Sequence, residues 1–409
     1  MSATLSALPA GRARERVRYA IGGVLPRLAL RPDDAGEAAA TVRACASEEL
    51  ALVPWGGGVA LSHEASPPPR YDVALDLGAI KRIVTYEPDD FTVTAECGIP
   101  IAELCAALAE HGQELPLEAG APAAATLGGV LATNTSGPRR LRLGAPRDRI
   151  LGARFLTGDG VAAHTGGRVV KNVAGHAVHR LLVGSRGGLG VLLEASLKLL
   201  PMPPARAALV HGADAARIGH AATWAPFPRR EPAVLTVIGH ELTRQAHAFA
   251  SGAPFTVITG FEDDPAWVDD CERFTSGLLG GPRQAMRDAA AAALWGALAD
   301  AAEFPGPRLT FTSAHNTPDA IAPLANRPVG GRLLFHAPCG RLHLWPAPEE
   351  AESLVGELAA RGFRLLESRA LPVDPPLPPA SVIGLRARLS AALDPSGTLA
   401  YGARWRGGR

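Results

Sequence analysis

Between Leu28 and Pro204 the chain alternates short β-branched or apolar runs with glycine-rich turns, the pattern of strands closed by tight loops. The run "ELALVPWGGG" predicts a strand entering a glycine loop. "DVALDLGAI", "RIVTYEP" and "FTVTAECG" predict short strands bounded by turn residues. In "IAELCAALAEHG", Ile101, Leu104, Cys105 and Leu108 recur at helical spacing and Gly112 supplies a stop. "ILGARFLTGDGVAAHTGG" predicts a hairpin turning through Gly158-Asp159-Gly160, and "LGVLLEASLKLLP" a strand that closes on Pro201.

The proline-rich "PMPPAR" breaks this texture. Beyond it, "EPAVLTVIGH" and "GAPFTVITGFE" predict strands, and "PAWVDDCERFTSGLLGG" and "PRQAMRDAAAAALWGALADAAE" predict helices. "GRLLFHAP" and "GRLHLWPA" predict paired strands, and "PEEAESLVGELAARGF" a helix. "VDPPLPPAS" is a stiff linker before a closing helix, "VIGLRARLSAALDP". The expected fold class is α+β. It comprises an extension over 1–27, a first domain over 28–204, a smaller α+β domain over 205–371 and a C-terminal segment over 372–409.

Composition narrows the function classes. With 409 residues, 47% apolar and 20% charged, the chain suits two packed domains. A net charge of +1 leaves no basic footprint for nucleic acid or an anionic membrane. The N-terminus lacks the apolar core of a signal segment and no run is long enough to span a bilayer, so a cytoplasmic location is expected. Five cysteines without a C-x-x-C pair speak for reduced thiols, and no metal site is expected.

Two glycine clusters compete as a nucleotide site. Gly184, Gly188 and Gly190 have the G-x-x-x-G-x-G spacing of short-chain dehydrogenases. That chemistry needs Tyr-x-x-x-Lys, and none of Tyr19, Tyr71, Tyr86 or Tyr401 has lysine four residues on. The cluster also precedes a strand, where a dinucleotide fingerprint would open a helix. The nicotinamide reading fails. Upstream, "VPWGGGVAL" follows a strand with three glycines whose N–H groups can approach an anion closely. "ATLGGVLATNTSG" adds a second glycine cluster with hydroxyls, and "GAPRDRILG" sets Asp148 among arginines. Three such loops suggest a long phosphate-bearing cofactor. No G-x-x-x-x-G-K-[ST] points to a nucleoside triphosphatase.

Taken in order, the blocks from "YDVALDLGAI" through "ATLGGVLATNTSG" to "LLVGSRGGLGVLLEASLKLLP" resemble the FAD-binding domain of vanillyl-alcohol-oxidase (PCMH-type) flavoproteins. Within that family they are most similar to the FAD-binding subunits of bacterial glycolate oxidases. The resemblance covers about half of the chain, with the tail near Asp394 returning to the first domain. It implies a PCMH-type two-subdomain FAD domain and noncovalent FAD. Trp55, Gly56, Gly57, Gly58, Val59 and Ala60 would surround the pyrophosphate. Thr126, Leu127, Gly128 and Gly129 would lie along the pyrophosphate and ribityl chain, with Ser136, Gly137 and Arg139 nearby. Gly144 and Asp148 would form a third loop, Gly190 and Val191 would meet the adenine end, and Pro116 the isoalloxazine side. Departures from the family pattern are Val59 in place of a hydroxyl residue, His176-Ala177 after "KNVAG", and Ala400-Tyr401 in place of Asn-Pro.

For 2-hydroxy-acid oxidation, Arg341 and His343 in "GRLHLW" share a strand face and offer a carboxylate anchor and a base. Such a pair is ordinarily solvent-facing. His176 and His179, three apart, equally suit a plain helical surface. The resemblance implies a subunit of a glycolate oxidase complex that works with a related catalytic flavoprotein subunit and an iron–sulfur subunit. Peripheral membrane association would come through that complex. Two alternatives stand beside it: a free-standing FAD oxidoreductase on another small hydroxy acid or alcohol, and a structural subunit that has lost flavin.

Overall fold

The computed structural model describes residues 14–402 except 62–66, 169–175, 221–229, 247–251, 303, 305, 315–317, 372, 374 and 377. The "KNVAG" run, Lys171 to Gly175, and His63 lie outside the described residues. The chain forms two compact units. Unit 1 is Met1–Thr135, Ala145–Met202 and Leu377–Arg409, and unit 2 is Ser136–Gly144 and Pro203–Pro376. The run Ser136–Gly144 therefore packs with unit 2, although it falls inside the stretch read from sequence as the first domain.

In unit 1, strands β1 (Leu28–Leu30), β2 (Leu52–Trp55) and β3 (Val73–Asp76) form a parallel sheet in the order β1-β3-β2. The crossover helix Ala35–Ser47 is capped by Asp34, whose carboxylate accepts the Glu37 N–H at 2.9 Å. Val42 and Cys45 pack onto Leu52, Val73 and Leu75, so every residue of β3 is buried, as a parallel strand requires. A five-stranded antiparallel sheet follows, with β4 (Ile83–Glu87), β5 (Thr92–Glu96), β7 (Ile150–Leu156), β8 (Ala162–Gly166) and β9 (Val191–Lys198) in the order β4-β5-β9-β7-β8. The short ribbon β6 (Gln113–Glu114) pairs with β10 (Leu200–Pro201). Ile101, Leu104 and Leu108 turn the apolar stripe of the helix Ile101–Ala109 onto Val93, Ala95 and Leu197.

The tail closes unit 1. Leu52 donates its N–H to Thr398 O at 2.7 Å and accepts from Ala400 N at 2.9 Å, which adds the tail to the open edge of β2. The buried Asp394 carboxylate accepts the N–H groups of Thr398 and Leu399 at 2.9 and 3.2 Å and fixes the turn before that edge. Ala400 and Tyr401 pack with Tyr19, Tyr71 and Trp55, so this departure from the family pattern fills an apolar core.

Unit 2 is one antiparallel sheet of eight strands: β11 (Ala205–Ala213), β12 (Val234–Gly239), β13 (Phe255–Asp263), β14 (Gln284–Arg287), β15 (Arg308–Thr312), β16 (Leu333–His336), β17 (Arg341–Leu344) and β18 (Arg364–Arg369). Their order is β14-β11-β13-β12-β16-β17-β15-β18. One face carries Leu235, Val237, Phe311, Phe335, Leu342 and Leu344 against Val268 and Cys271 of the helix Pro265–Leu279 and Leu354 and Leu358 of the helix Ala351–Ala360. The other face splits. Ala208, Val210, Val234 and Ile258 meet Leu294, Trp295 and Leu298 of the helix Asp288–Ala301. The rest of that face is polar, with Thr236, His336, Arg341, His343, Thr310 and Arg308.

The helix expected over "PRQAMRDAAAA" starts late. Gln284–Arg287 instead forms β14 along β11, and Asp288, at φ 47°, turns the chain before its carboxylate accepts the Arg206 N–H at 3.0 Å. Edge pairing outweighs the modest helical preference of four residues.

Candidate functional site

In unit 1 three loops converge. The triple glycine leaves β2 just after Trp55, which stacks edge-on against Tyr19 with ring centroids 5.2 Å apart. A Cβ on Gly57 would sit 1.6 Å from the Ala124 carbonyl oxygen, and one on Gly56 2.2 Å from Thr126 Oγ1. Only glycine lets these loops close. Gly58 is left-handed at φ 79°. The loop before β9 joins from the other side: Gly187 packs on Pro54, while Gly184 and Arg186 donate their N–H groups to Leu131 and Ala132 carbonyls at 2.9 and 2.8 Å.

This cradle leaves polar atoms facing no protein partner. The N–H groups of Gly56, Gly57 and Gly58 bond to no carbonyl among the described residues. Asn134, left-handed at φ 54°, has a buried Oδ1 without a partner among the described residues. Consecutive glycine N–H groups with an orphaned amide oxygen suit the pyrophosphate and polar chain of a dinucleotide such as FAD. Asn134 was missed from sequence, although "ATNTSG" contains it.

The predicted cofactor residues divide. Thr126 caps the helix Leu127–Thr133, and the first N–H groups there are engaged: Leu127 with Ile99 O at 2.9 Å, Gly128 with Cys97 O at 2.8 Å and Gly129 with Thr126 Oγ1. These residues border the triple glycine and shape it without offering N–H groups. Val59 is partly buried against the apolar core, Ala60 follows it at the loop's end, and Pro116 is buried. Gly190 lies against Phe155, and Val191 is buried opposite Leu156. Asp148 accepts the Ala145 N–H at 3.1 Å within its own turn. Ser136, Gly137, Arg139 and Gly144 belong to unit 2. There Ser136 Oγ accepts from Arg140, and Arg139 pairs with the buried Glu262 at 2.9 Å and lies over Trp295.

Unit 2 presents the second constellation. His343 and Arg341 do share a strand face, but that face is not solvent: His343 is 8% exposed and Arg341 is mostly buried. The register sets them beside three polar neighbours, with His343 opposite Thr310, and Arg341 opposite both Thr312 and His336. His343 Nδ1 and Thr310 Oγ1 are 3.1 Å apart, and His336 Nδ1 and Thr236 Oγ1 2.9 Å. The Arg341 guanidinium makes no ion pair or hydrogen bond among the described residues. Burial, then Arg308, His336, Arg341 and Arg369, hold His343 well below the usual histidine range. Burial, then Arg341, pushes His336 down to about 3. Burial likewise lowers Arg341 itself. The face therefore combines two histidines whose burial and positive neighbours disfavour their charged form with an arginine that has no ion-pair partner among the described residues. His336 was passed over in sequence because only the strand register brings it to Arg341.

His179 is buried and lowered by its burial, whereas His176 is exposed, so the two do not form a pair of like surroundings. Among the described residues no cluster of three or more His, Cys, Asp or Glu could hold a metal, and no helix is long and apolar enough to cross a membrane.

The family profile of an FAD binding domain matches residues 26–166. Glycolate oxidase subunit GlcE of Escherichia coli is 46% identical over 136 residues, 33% of this chain and 39% of that protein. The mitochondrial D-lactate dehydrogenase (cytochrome) of Arabidopsis thaliana is 31% identical over 44% of this chain and 31% of its own. The chain thus spans about two fifths or less of these relatives' length. Among solved structures, 4-ethylphenol oxidase from Gulosibacter chungangensis superposes with a TM-score of 0.73 at 13% identity, covering 98% of this chain and 95% of that one. p-Cresol methylhydroxylase superposes with a TM-score of 0.70 at 16% identity, covering 92% and 89%. The chain therefore has the fold of p-cresol methylhydroxylase, and its residues 26–166 match the FAD binding domain family.

Proposed function

We propose that this protein is an FAD-dependent oxidoreductase for small 2-hydroxy acids and acts as the flavin-binding subunit of a glycolate-oxidase-type complex. The observation that carries the substrate class is Arg341, a mostly buried guanidinium that ion-pairs with no carboxylate among the described residues, two residues from His343 on the same strand face. A buried unpaired guanidinium is costly unless an anion completes it, and a carboxylate matches its planar fork. Seated there, a 2-hydroxy acid would bring its hydroxyl toward the neighbouring imidazole. With Nδ1–H donated to Thr310 Oγ1, His343 Nε2 carries the lone pair that accepts the hydroxyl proton.

FAD, held by the N–H groups of Gly56 to Gly58 and by Asn134, supplies when bound the acceptor for two electrons and the α-hydrogen. The likeness to a glycolate oxidase subunit supports a role within a complex; the proposal adds a catalytic flavoprotein partner, an iron–sulfur partner and a cytoplasmic site of action.

The test is the visible spectrum of the purified chain, alone and co-expressed with partner subunits. Near-stoichiometric flavin released by acid precipitation supports noncovalent FAD. Anaerobic bleaching by glycolate or D-lactate only in the co-expressed form supports the complex, and bleaching in the isolated chain favours a free-standing enzyme. Absence of flavin from both preparations would overturn the reading.

A further inference from the structure

His336 and His343 sit diagonally across the β16/β17 ladder, because His336 pairs with Arg341 and His343 with Leu334. Their rings lie 6.1 Å apart in an edge-to-face arrangement. A threonine hydroxyl tethers Nδ1 of each, which leaves Nε2 of each with no protein partner among the described residues. Arg341 is directly across from His336 and on the same face as His343, so both imidazoles border one guanidinium.

The charged groups around them are uneven. Arg341 on β17, Arg308 on β15, Arg369 on β18 and Arg140 on the 136–144 run are cationic, Glu367 on β18 is anionic, and Cys339 lies in the β16–β17 turn. Two imidazolium ions at this spacing would repel each other as well as the arginines, so the empty face holds both rings neutral. An anion on Arg341 reverses that balance for one ring but not for two.

We propose that His336 and His343 form a couple that takes up a single proton when a carboxylate is seated on Arg341. This rests on the reading that Arg341 receives the substrate carboxylate. His343 is the base, and His336 is a positioning residue that shares the proton and keeps the pair at one charge. A seated carboxylate thus opens one place for a proton: in the reacting complex the hydroxyl proton fills it, with a carboxylate that lacks a 2-hydroxyl a solvent proton does, and an empty site stays uncharged at its imidazoles.

The test uses the full chain and oxamate, a carboxylate with no 2-hydroxyl to oxidise. Calorimetric titration in two buffers of different ionisation enthalpy measures the protons taken up on binding. Wild type is expected to take up close to one proton near neutral pH, with affinity rising by up to about tenfold for each pH unit of acidification. His336→Gln and His343→Gln should each retain uptake, displaced to lower pH, and the double variant should bind oxamate with none. Arg341→Gln should lose binding while far-UV circular dichroism shows it folded.

Abolition of uptake by His343→Gln alone, with His336→Gln unchanged, would overturn the couple, as would wild-type binding without uptake. Failure of oxamate to bind would overturn it too, while flavin bleaching by a hydroxy acid would still stand for the oxidoreductase reading. Proton-linked oxamate binding without bleaching would leave the couple intact and remove that reading instead.

Discussion

Gly57 has no room for a side chain, and that is the most direct statement the residue scale makes about FAD. An alanine Cβ there would lie 1.6 Å from a backbone carbonyl, so the loops at 56–58 and 124–126 would have to part. Gly57→Ala should lower the flavin-to-protein absorbance ratio several-fold while the far-UV spectrum persists. In unit 2, Arg341→Gln should reduce kcat/KM for the hydroxy acid about 100-fold with flavin content unchanged, the scale for truncating one side of a buried charge pair. Glu262 shows the opposite case. It is fully buried and meets Arg139 at 2.9 Å, Arg142 at 2.8 Å and Arg206 at 3.7 Å, with Arg139 and Arg206 also over Trp295. Glu262→Ala should cost about 3–5 kcal/mol in urea unfolding, because it strips buried cations of their counter-charge. Its carboxylate pins the 136–144 run within unit 2.

At the scale of elements, the parallel β1-β3-β2 sheet is held open on one edge for the returning tail. The tail depends on Asp394, whose two oxygens satisfy two backbone N–H groups. Asp394→Ala should lower stability by roughly 1–3 kcal/mol, read as a fall in Tm, since both donors would be left buried. The eight-stranded sheet of unit 2 works differently. Its strands alternate apolar and polar positions, and the helix Asp288–Ala301 covers only part of one face. The remainder, from Thr236 across to Arg308, holds side chains that pair by register rather than by sequence proximity.

At the scale of the whole molecule, buried histidines link stability to pH. His211 is pushed down to about 4 and His336 to about 3, both chiefly by burial, and His343 is also lowered, by burial first and then by its arginine and His336 neighbours. A histidine held neutral in the fold but free to charge at its ordinary value near 6.5 when unfolded stabilises fully above that pH. That contribution is lost as pH falls from about 6.5 toward the folded values, by up to about 1.4 kcal/mol per pH unit for each histidine. The Tm should therefore be flat from pH 8 to 7 and drop steadily to pH 4.5, and His211→Leu should make the drop shallower.

Much of this was legible in the chain itself. Periodicity predicted the strand entering "GGG", the hairpin through Gly160 and the strand pair at Leu333–His336 and Arg341–Leu344, because two- and 3.6-residue repeats are local properties. The glycine loops pointed to a phosphate-bearing cofactor, and the family resemblance of the ordered blocks made it FAD, in line with the family match over residues 26–166. What only the tertiary structure decided were facts of register and burial. The edge strand Gln284–Arg287 displaced a helix start because β11 was there to pair with it. The Arg341/His343 face is buried rather than solvated, and His336 joins it from seven residues away in sequence. Asn134 became an orphaned acceptor only when the loops closed around it. A sequence specifies which groups can be donors, acceptors or charges; which of them end without a partner, and so await a ligand, depends on every neighbour the fold supplies.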